Sequence, residues 1–247
     1  MRTHILGEPV DVVNMDTALE FIRGYVNAPE NPPGFVLAVN PEKVMCLRKD
    51  RTLHDFFEKA TLLIPDGIGV VKALRMAGHK NAGRVAGADL MQNICQHAPH
   101  ENYRIFIYGA AEDVNEAACA ELERRNPGIR IVGRSNGYIK PEQMDDLIDR
   151  INGSGANILF LALGSPGQER WMEKHADRLT TVRICQGIGG TLDTIIGKVK
   201  RAPLGWQKLG LEWLYRLLKQ PKRIGRQMNL FYFILLVLKE KIFHKTK

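Results

Sequence analysis

The sequence predicts an α/β fold in which a Rossmann-like, mostly parallel sheet is flanked by helices. Two observations predict it. Short apolar runs alternate with longer amphipathic stretches up to Gly190, and turns rich in glycine and proline separate them. Strands that alternate with helices are typical of βαβ units, in which the strands are parallel. The 247 residues are enough for a sizeable core.

Each predicted element depends on its own apolar pattern and end signals. The predicted strands are 35–39, 61–64, 103–108, 129–132, 157–163 and 182–185. The predicted helices begin at Pro41 or cover 87–98, 112–125, 141–151 and 168–179. Pro41 and Pro141 suit the first turn of a helix. After its first residue, Asn157, the segment 157–163 is apolar throughout, which indicates a strand buried on both faces.

The pattern changes near residues 195–203. We predict a sheet domain over 1–197 and a basic, amphipathic helical appendage over 198–247. The appendage contains 13 Lys and Arg residues against two acids, whereas the whole chain has a net charge of +8. Basic residues beside apolar and aromatic ones favour an anionic membrane surface over nucleic acid. A helical pair packed on the domain, with its lysines merely solvated, is an equally open alternative.

Other patterns limit the class of protein. The cysteines are widely spaced, which argues against a disulfide scaffold or a zinc ribbon and predicts four buried thiols in a reducing compartment: Cys46, Cys95, Cys119 and Cys185. The histidines form no HxH or HExxH spacing, so no metal site is predicted. There is no secretory signal and no apolar run of about 18 residues. We therefore expect a cytoplasmic protein that does not span a membrane.

Ligands of open α/β sheets bind at the carboxyl ends of the strands, so the turns there form the candidate site. Asn40 and Asp66 each follow a strand, and each could instead be a helix cap or turn residue. Asp66 is a candidate general base. Glycine turns at 164–169 and 187–193 allow backbone N–H groups to approach an anion, and Asp193 could bind sugar hydroxyls. Neither turn is a P-loop or a GxGxxG motif, so ATP and dinucleotides are not supported.

Together these turns resemble the WecG/TagA/CpsF glycosyltransferases, glycosyltransferase family 26. The matching segments run in order along nearly the whole chain: NPEK at 40–43, PDGIGVV at 65–71, RVAGADL at 84–90, GSPGQE at 164–169, GIGGTLD at 187–193, KRAP at 200–203 and LEWLYRL at 211–217, then Pro221, Arg223 and Arg226. The family often has a threonine two positions before its first asparagine. Here that position is Ala38, so no hydroxyl can orient the acceptor there.

The resemblance implies an inverting transfer of a hexosamine-type sugar from a UDP donor. UDP-N-acetylmannosamine and UDP-N-acetylmannosaminuronic acid are the implied donors, although some relatives use glucose-type donors. The implied acceptor is undecaprenyl-diphosphate-linked N-acetylglucosamine, in cell-envelope polysaccharide or teichoic acid synthesis. The resemblance also implies that residues 1–197 are the catalytic domain and that 198–247 associate with the inner face of the cell membrane. No metal or other cofactor is expected.

Residue roles follow from the motifs. Asp66 is the expected base, and Asn40 is the second expected catalytic residue. The expected substrate-binding residues are Gly67, Arg84, Gly109, Gln168, Glu169, Gly189, Gly190, Asp193, Arg201, Arg216, Arg223 and Arg226. Negative charge develops on the β-phosphate of the leaving UDP. Without a metal, arginines or helix N-termini must stabilise it.

Two other classes of function stay open. A non-catalytic scaffold at the membrane could bind a nucleotide sugar in the same pocket, although the presence of Asp66 disfavours this. A basic nucleic-acid-binding protein is the third hypothesis, and we expect no nucleic-acid partner. Exposed apolar helices of the appendage could also be buried in a homo-oligomer when no membrane is present.

Overall fold

The computed structural model describes residues 1–203, 205–206, 212–219 and 224–244. Its centre is a six-stranded sheet, whose strands are β3 (Gly34–Val39), β4 (Leu62–Pro65), β5 (Arg104–Gly109), β6 (Arg130–Ser135), β7 (Ile158–Ala162) and β8 (Ile184–Gly187). The strand order is β4-β3-β8-β7-β5-β6, and all neighbouring pairs are parallel. The predicted α/β fold with a parallel sheet is confirmed.

Helices cover both faces of the sheet. They are α1 (Met15–Val26), α2 (Pro41–Leu47), α3 (Arg51–Glu58), α4 (Ile68–Met76), α5 (Gly87–Glu101), α6 (Glu112–Arg125), α7 (Met144–Gly153), α8 (Gly167–His175) and α9 (Thr191–Ile195). One core lies beneath α2, α3, α4, α7 and α8, and the other beneath α1, α5, α6 and α9. In β7, Leu159 and Leu161 face the first core, whereas Ile158 and Phe160 face the second. Burial on both faces explains why this strand is apolar throughout.

A hairpin before the sheet is missing from the sequence prediction. Its strands are β1 (Arg2–Ile5) and β2 (Glu8–Asp11), and its turn residues Leu6 and Gly7 have φ of 55° and 85°. Leucine rarely adopts a positive φ, so the sequence gives little warning of this turn. The Asp11 carboxylate accepts a hydrogen bond of 2.8 Å from the Leu63 N–H, which satisfies a donor of the outermost strand.

The cysteines depart from the prediction at one position. Cys95, Cys119 and Cys185 are buried, and burial raises the pKa of each thiol to about 12. Cys46 is exposed, so the prediction of four buried thiols is wrong. The reason is helical geometry, because α2 turns other residues, Val44 among them, towards the core.

Two helices form most of the described appendage: α10 (Glu212–Lys219) and α11 (Ile224–His244). Helix α11 packs on α2 and α4, and its Phe233 is 1% exposed within the core beneath those helices. The opposite face of α11 leaves Phe231 and Leu235 exposed. The predicted amphipathic appendage is thus confirmed. It shares a core with the sheet domain, and the boundary at residue 197 stays a prediction.

Among the residues that the structure describes, no helix has the length and apolar character that crossing a bilayer requires.

We predict that Phe233→Ala lowers the free energy of unfolding by about 3–5 kcal/mol, because it removes a fully buried aromatic ring and leaves a cavity. Tyr232→Ala is the matched control. Tyr232 is the preceding residue and is 57% exposed, so we expect a change within about 0.5 kcal/mol. Urea denaturation of the two variants measures the difference. Equal stability of the two variants would contradict the docking of α11.

Candidate active site

The carboxyl ends of β3, β8 and β7 lie side by side at one edge of the sheet. The helices that follow β3 and β7 cover one face, whereas α9, which follows β8, covers the other. Where the helices after neighbouring strands leave towards opposite faces of the sheet, a crevice opens between the strand ends. Ligands of open α/β sheets bind in such a crevice. The predicted turns therefore converge on one crevice.

Asp66 and Asn40 lie beside each other at this edge. The Asp66 N–H donates a hydrogen bond of 2.9 Å to the carbonyl oxygen of Val39. Gly67 has φ of 118°, which favours glycine. A Cβ atom placed on Gly67 would lie 3.7 Å from Asn40 Cβ and 3.5 Å from Pro41 Cδ. The two turns thus pack directly on one another, and the two predicted catalytic residues are brought together.

The side chain of Asn40 caps helix α2. Its Oδ1 accepts a hydrogen bond of 2.8 Å from the Lys43 N–H, and Pro41 occupies the first turn of the helix. The capping role that was open from the sequence is therefore confirmed. The cap also holds Asn40 in a fixed position beside Asp66. A catalytic role for Asn40 stays a prediction.

Lys43 connects the turn after β3 with the turn after β7. Its Nζ donates hydrogen bonds to Glu169 Oε1 at 2.9 Å and to Ser165 Oγ at 2.6 Å. The Glu169 side chain is 3% exposed, and its second oxygen, Oε2, has no hydrogen-bond partner among the described residues. The lysine offsets the cost of burying this carboxylate. Lys43 is not among the residues predicted to form the site, although its position three residues after Asn40, in the first turn of the helix, could have indicated it.

Gln168 holds the glycine turn that follows β8. Its Oε1 accepts a hydrogen bond of 3.0 Å from the Gly189 N–H. A Cβ atom on Gly187 would lie 2.3 Å from Gln168 Nε2, so a larger residue at this position would displace the Gln168 amide. Gly190 precedes α9, and Asp193 lies in the first turn of that helix. The two glycine turns that were predicted to bind the nucleotide are therefore in contact.

Gly109 ends β5 at a close approach of two backbones. Its φ is 126°, and a Cβ atom there would lie 2.5 Å from the backbone carbonyl of Ala162. The neighbouring Ala110 N–H donates a hydrogen bond of 3.0 Å to the Ala162 oxygen. This approach explains the glycine at position 109. A contact with substrate there stays a prediction.

An ionic network joins the edge of the sheet to the appendage. Glu212, the first residue of α10, is 8% exposed. Its Oε2 accepts a hydrogen bond of 2.5 Å from Arg84 Nη2, and its Oε1 accepts one of 3.1 Å from Arg201 Nε. Arg201 also forms a bidentate pair with the Asp89 carboxylate, in which Nη2 and Oδ2 are 2.9 Å apart. Bidentate pairs of this kind fix orientation as well as distance.

Arg84 lies on a segment that crosses the carboxyl edge of the sheet. The Val85 N–H donates a hydrogen bond of 3.0 Å to the carbonyl oxygen of Pro65, the residue before Asp66. Further along the segment, the Gly87 oxygen accepts a hydrogen bond of 2.9 Å from a buried glutamine of β8. Arg84 therefore borders the candidate site. Phosphate binding by Arg84 and Arg201 stays a prediction.

The arginines keep Glu212 ionised. Burial raises the pKa of the Glu212 carboxyl. The hydrogen bond from Arg84 and the charge of Arg201 together lower the pKa by more than burial raises it, so the pKa lies below its ordinary value. A lowered pKa stabilises the fold when the pH is above the ordinary pKa of glutamate. This contribution is lost as the pH falls through the lowered pKa of Glu212. At neutral pH the network is therefore complete.

The predicted arginines of the appendage are Arg216, Arg223 and Arg226. Arg223 lies outside the described residues, and so do the side chains of Arg216 and Arg226. The backbone of Arg216 lies on α10, about one helical turn after Glu212. Their predicted contact with the donor stays a prediction.

Within the described ranges, His, Cys, Asp and Glu side chains form no group of three or more that could hold a metal ion. Metal independence stays a prediction.

Comparison with known proteins assigns the class of this protein. The model of the glycosyl transferase WecG/TagA/CpsF family matches residues 3–247. The chain therefore belongs to this family of glycosyl transferases. Among solved structures, a nicotinate phosphoribosyltransferase from Vibrio cholerae is 13% identical over 76% of this chain and 49% of that chain. The TM-score between the two structures is 0.21.

Proposed function

We propose that this glycosyltransferase transfers an N-acetylmannosamine-type sugar, N-acetylmannosamine or N-acetylmannosaminuronic acid, from UDP to undecaprenyl-diphosphate-linked N-acetylglucosamine. The observation that carries the proposal is the packing of the Asp66 turn on the Asn40 turn at the sheet crevice. Membership of the family supports a sugar donor and an acceptor. A glucose-type donor is the alternative.

In this mechanism Asp66 is the general base and the anomeric centre is inverted. The acceptor hydroxyl oxygen attacks the anomeric carbon from the side opposite to UDP, and its proton passes to the Asp66 carboxylate. The bond between the anomeric carbon and the β-phosphate oxygen breaks, and its electron pair leaves with UDP. Asn40 orients the reacting groups from the adjacent turn, where its cap on α2 holds it in place.

The diphosphate of UDP needs positive charge, because the mechanism assumes no metal. Arg84 lies beside the Asp66 turn, and the N-terminus of α8 presents backbone N–H groups at the same edge. Gln168 and the turn at 187–190 support the nucleotide, and Asp193 binds its ribose hydroxyls. The rest of the proposed binding set comprises Gly67, Gly109, Glu169, Arg201, Arg216, Arg223 and Arg226.

We predict that Asp66→Asn lowers kcat about 10²–10⁴-fold, because it removes the proton acceptor, whereas the Kd for UDP changes little. The assay measures UDP release from UDP-N-acetylmannosamine, UDP-N-acetylmannosaminuronic acid and UDP-glucose with a short-chain analogue of the lipid acceptor. Asp50→Asn is the matched control. Asp50 is exposed and caps α3 through the Leu53 N–H, and asparagine caps a helix equally well.

Two outcomes of this assay would contradict the proposal. Near-normal turnover of Asp66→Asn would remove Asp66 from the role of base. No UDP release by the wild-type protein with any of the donors would support a non-catalytic scaffold instead.

We also propose that the protein lies on the inner face of the cell membrane, with α11 at the lipid surface. The outer face of this helix exposes a set of large apolar residues: Met228, Phe231, Tyr232, Ile234, Leu235 and Leu238. Its inner face packs on α2 and α4, which follow the Asn40 and Asp66 turns. A helix is about 10–12 Å wide, so this arrangement would place the active site about one helix diameter from a lipid-linked acceptor.

We predict that the double substitution Phe231→Ser and Leu235→Ser weakens binding to anionic vesicles at least about tenfold, because two apolar side chains no longer enter the interface. Turnover of a short-chain, water-soluble acceptor should be unchanged. Vesicle flotation and UDP release measure the two effects. Tyr138→Ser, which removes an exposed aromatic ring outside the appendage, is the control. Unchanged flotation of the double variant would refute the membrane surface proposed here.

A further inference from the structure

Glu212 is a buried acid in a basic segment. From 198 to 247 the acids are Glu212 and Glu240, against 13 Lys and Arg. Glu240 is exposed, whereas Glu212 is 8% exposed. A carboxylate is costly to bury unless charged partners surround it. Glu212 has such partners in Arg84 and Arg201, and these two arginines fix the position of its carboxylate.

The partners of Glu212 are themselves fixed. Arg201 is held by both oxygens of Asp89, at the start of α5. Arg84 is directly followed by Val85, whose N–H donates to the carbonyl oxygen of Pro65, the residue before Asp66. The carboxylate of Glu212 therefore lies between the guanidinium group of Arg84, in the sheet domain, and that of Arg201, which Asp89 of the sheet domain holds.

We propose that Glu212 is a positioning residue for glycosyl transfer, which holds the first turn of α10 against Arg84 and fixes the Arg84 guanidinium beside the Asp66 turn. This inference depends on the proposed function. Glu212 acts through Arg84 and through the helix that it begins. A carboxylate in contact with the diphosphate would repel it, so Glu212 is not assigned to bind the donor.

Two roles of the contact between Glu212 and Arg84 predict changes of opposite sign in the transfer rate when Glu212 is removed. If Glu212 only occupied Arg84 in place of the diphosphate, then its removal would free a cation for the donor, and kcat/KM would rise. If Glu212 positions α10, then its removal lowers kcat, because negative charge on the leaving phosphate is greatest in the transition state.

The test uses full-length Glu212→Gln, which keeps the size of the side chain and removes its charge. Glu212→Asp is the conservative variant, and Glu240→Gln is the matched control in the same appendage. We expect kcat of Glu212→Gln to fall about 10–100-fold, since small errors of position cost rates of this order. The KM for UDP-sugar should rise less than about threefold. Glu212→Asp should recover part of kcat, and Glu240→Gln should equal the wild type.

Hydrogen exchange measured by mass spectrometry gives a readout that does not require transfer activity. In Glu212→Gln, amides of 212–219 should exchange faster, whereas those of β3 and β4 should keep the wild-type rate. If wild-type protein transfers no sugar from any donor, the proposed function fails, and the exchange result alone decides whether Glu212 docks α10. Wild-type exchange in 212–219 would then overturn the inference.

Two activity results would also overturn it. These are a wild-type kcat in Glu212→Gln and a rise in kcat/KM. If Glu212→Gln does not fold by circular dichroism, then Glu212→Asp carries the test. It should fold and should show a reduced kcat with faster exchange in α10, and a wild-type kcat in that folded variant would refute the positioning role.

Discussion

All six strands of the central sheet run in the same direction, and the position of every proposed catalytic group depends on this constraint. Parallel strands bring their carboxyl ends to one edge, and the change of helix face around β8 opens a crevice there. Both faces of the sheet are buried, so the strand ends have fixed positions. Only a few positions in the turns then require a particular type of residue. Asn40 caps a helix, Gly67 adopts a positive φ, and Gly109 permits close contact of two backbones.

The appendage is joined to this edge by two interactions of different character. Phe233 is buried in the core beneath α2 and α4, and such apolar contact supplies stability without strict direction. Glu212 bridges Arg84 and Arg201, and hydrogen-bonded ion pairs constrain distance and orientation. The two contacts hold different helices, α11 and α10. The outer face of α11 stays exposed, so one helix can contact both the core and a lipid surface.

The sequence predicts the elements that carry local signals. The helix expected at 112–125 has the bounds of α6, because acids lie in its first turn and Asn126-Pro127-Gly128 follows its end. The turns of the candidate site could also be predicted, since polar and glycine residues follow apolar strands. The first hairpin could not, because Leu6 occupies a position of its turn that normally favours glycine or asparagine. The contact of Arg84 with Glu212 joins residues 128 positions apart, and no local pattern in one sequence encodes such a pair.

A crystal structure of the full chain with bound UDP tests most directly whether the donor site lies at this edge, beside Arg84 and the docked helix α10. We predict that the β-phosphate lies against Arg84 and is separated from the Asp66 carboxylate by the space for the sugar, that the uridine lies against the turn at 187–190, and that α10 remains docked through Glu212. A nucleotide bound at the opposite edge of the sheet, or at this edge with α10 displaced from Arg84, would contradict that arrangement.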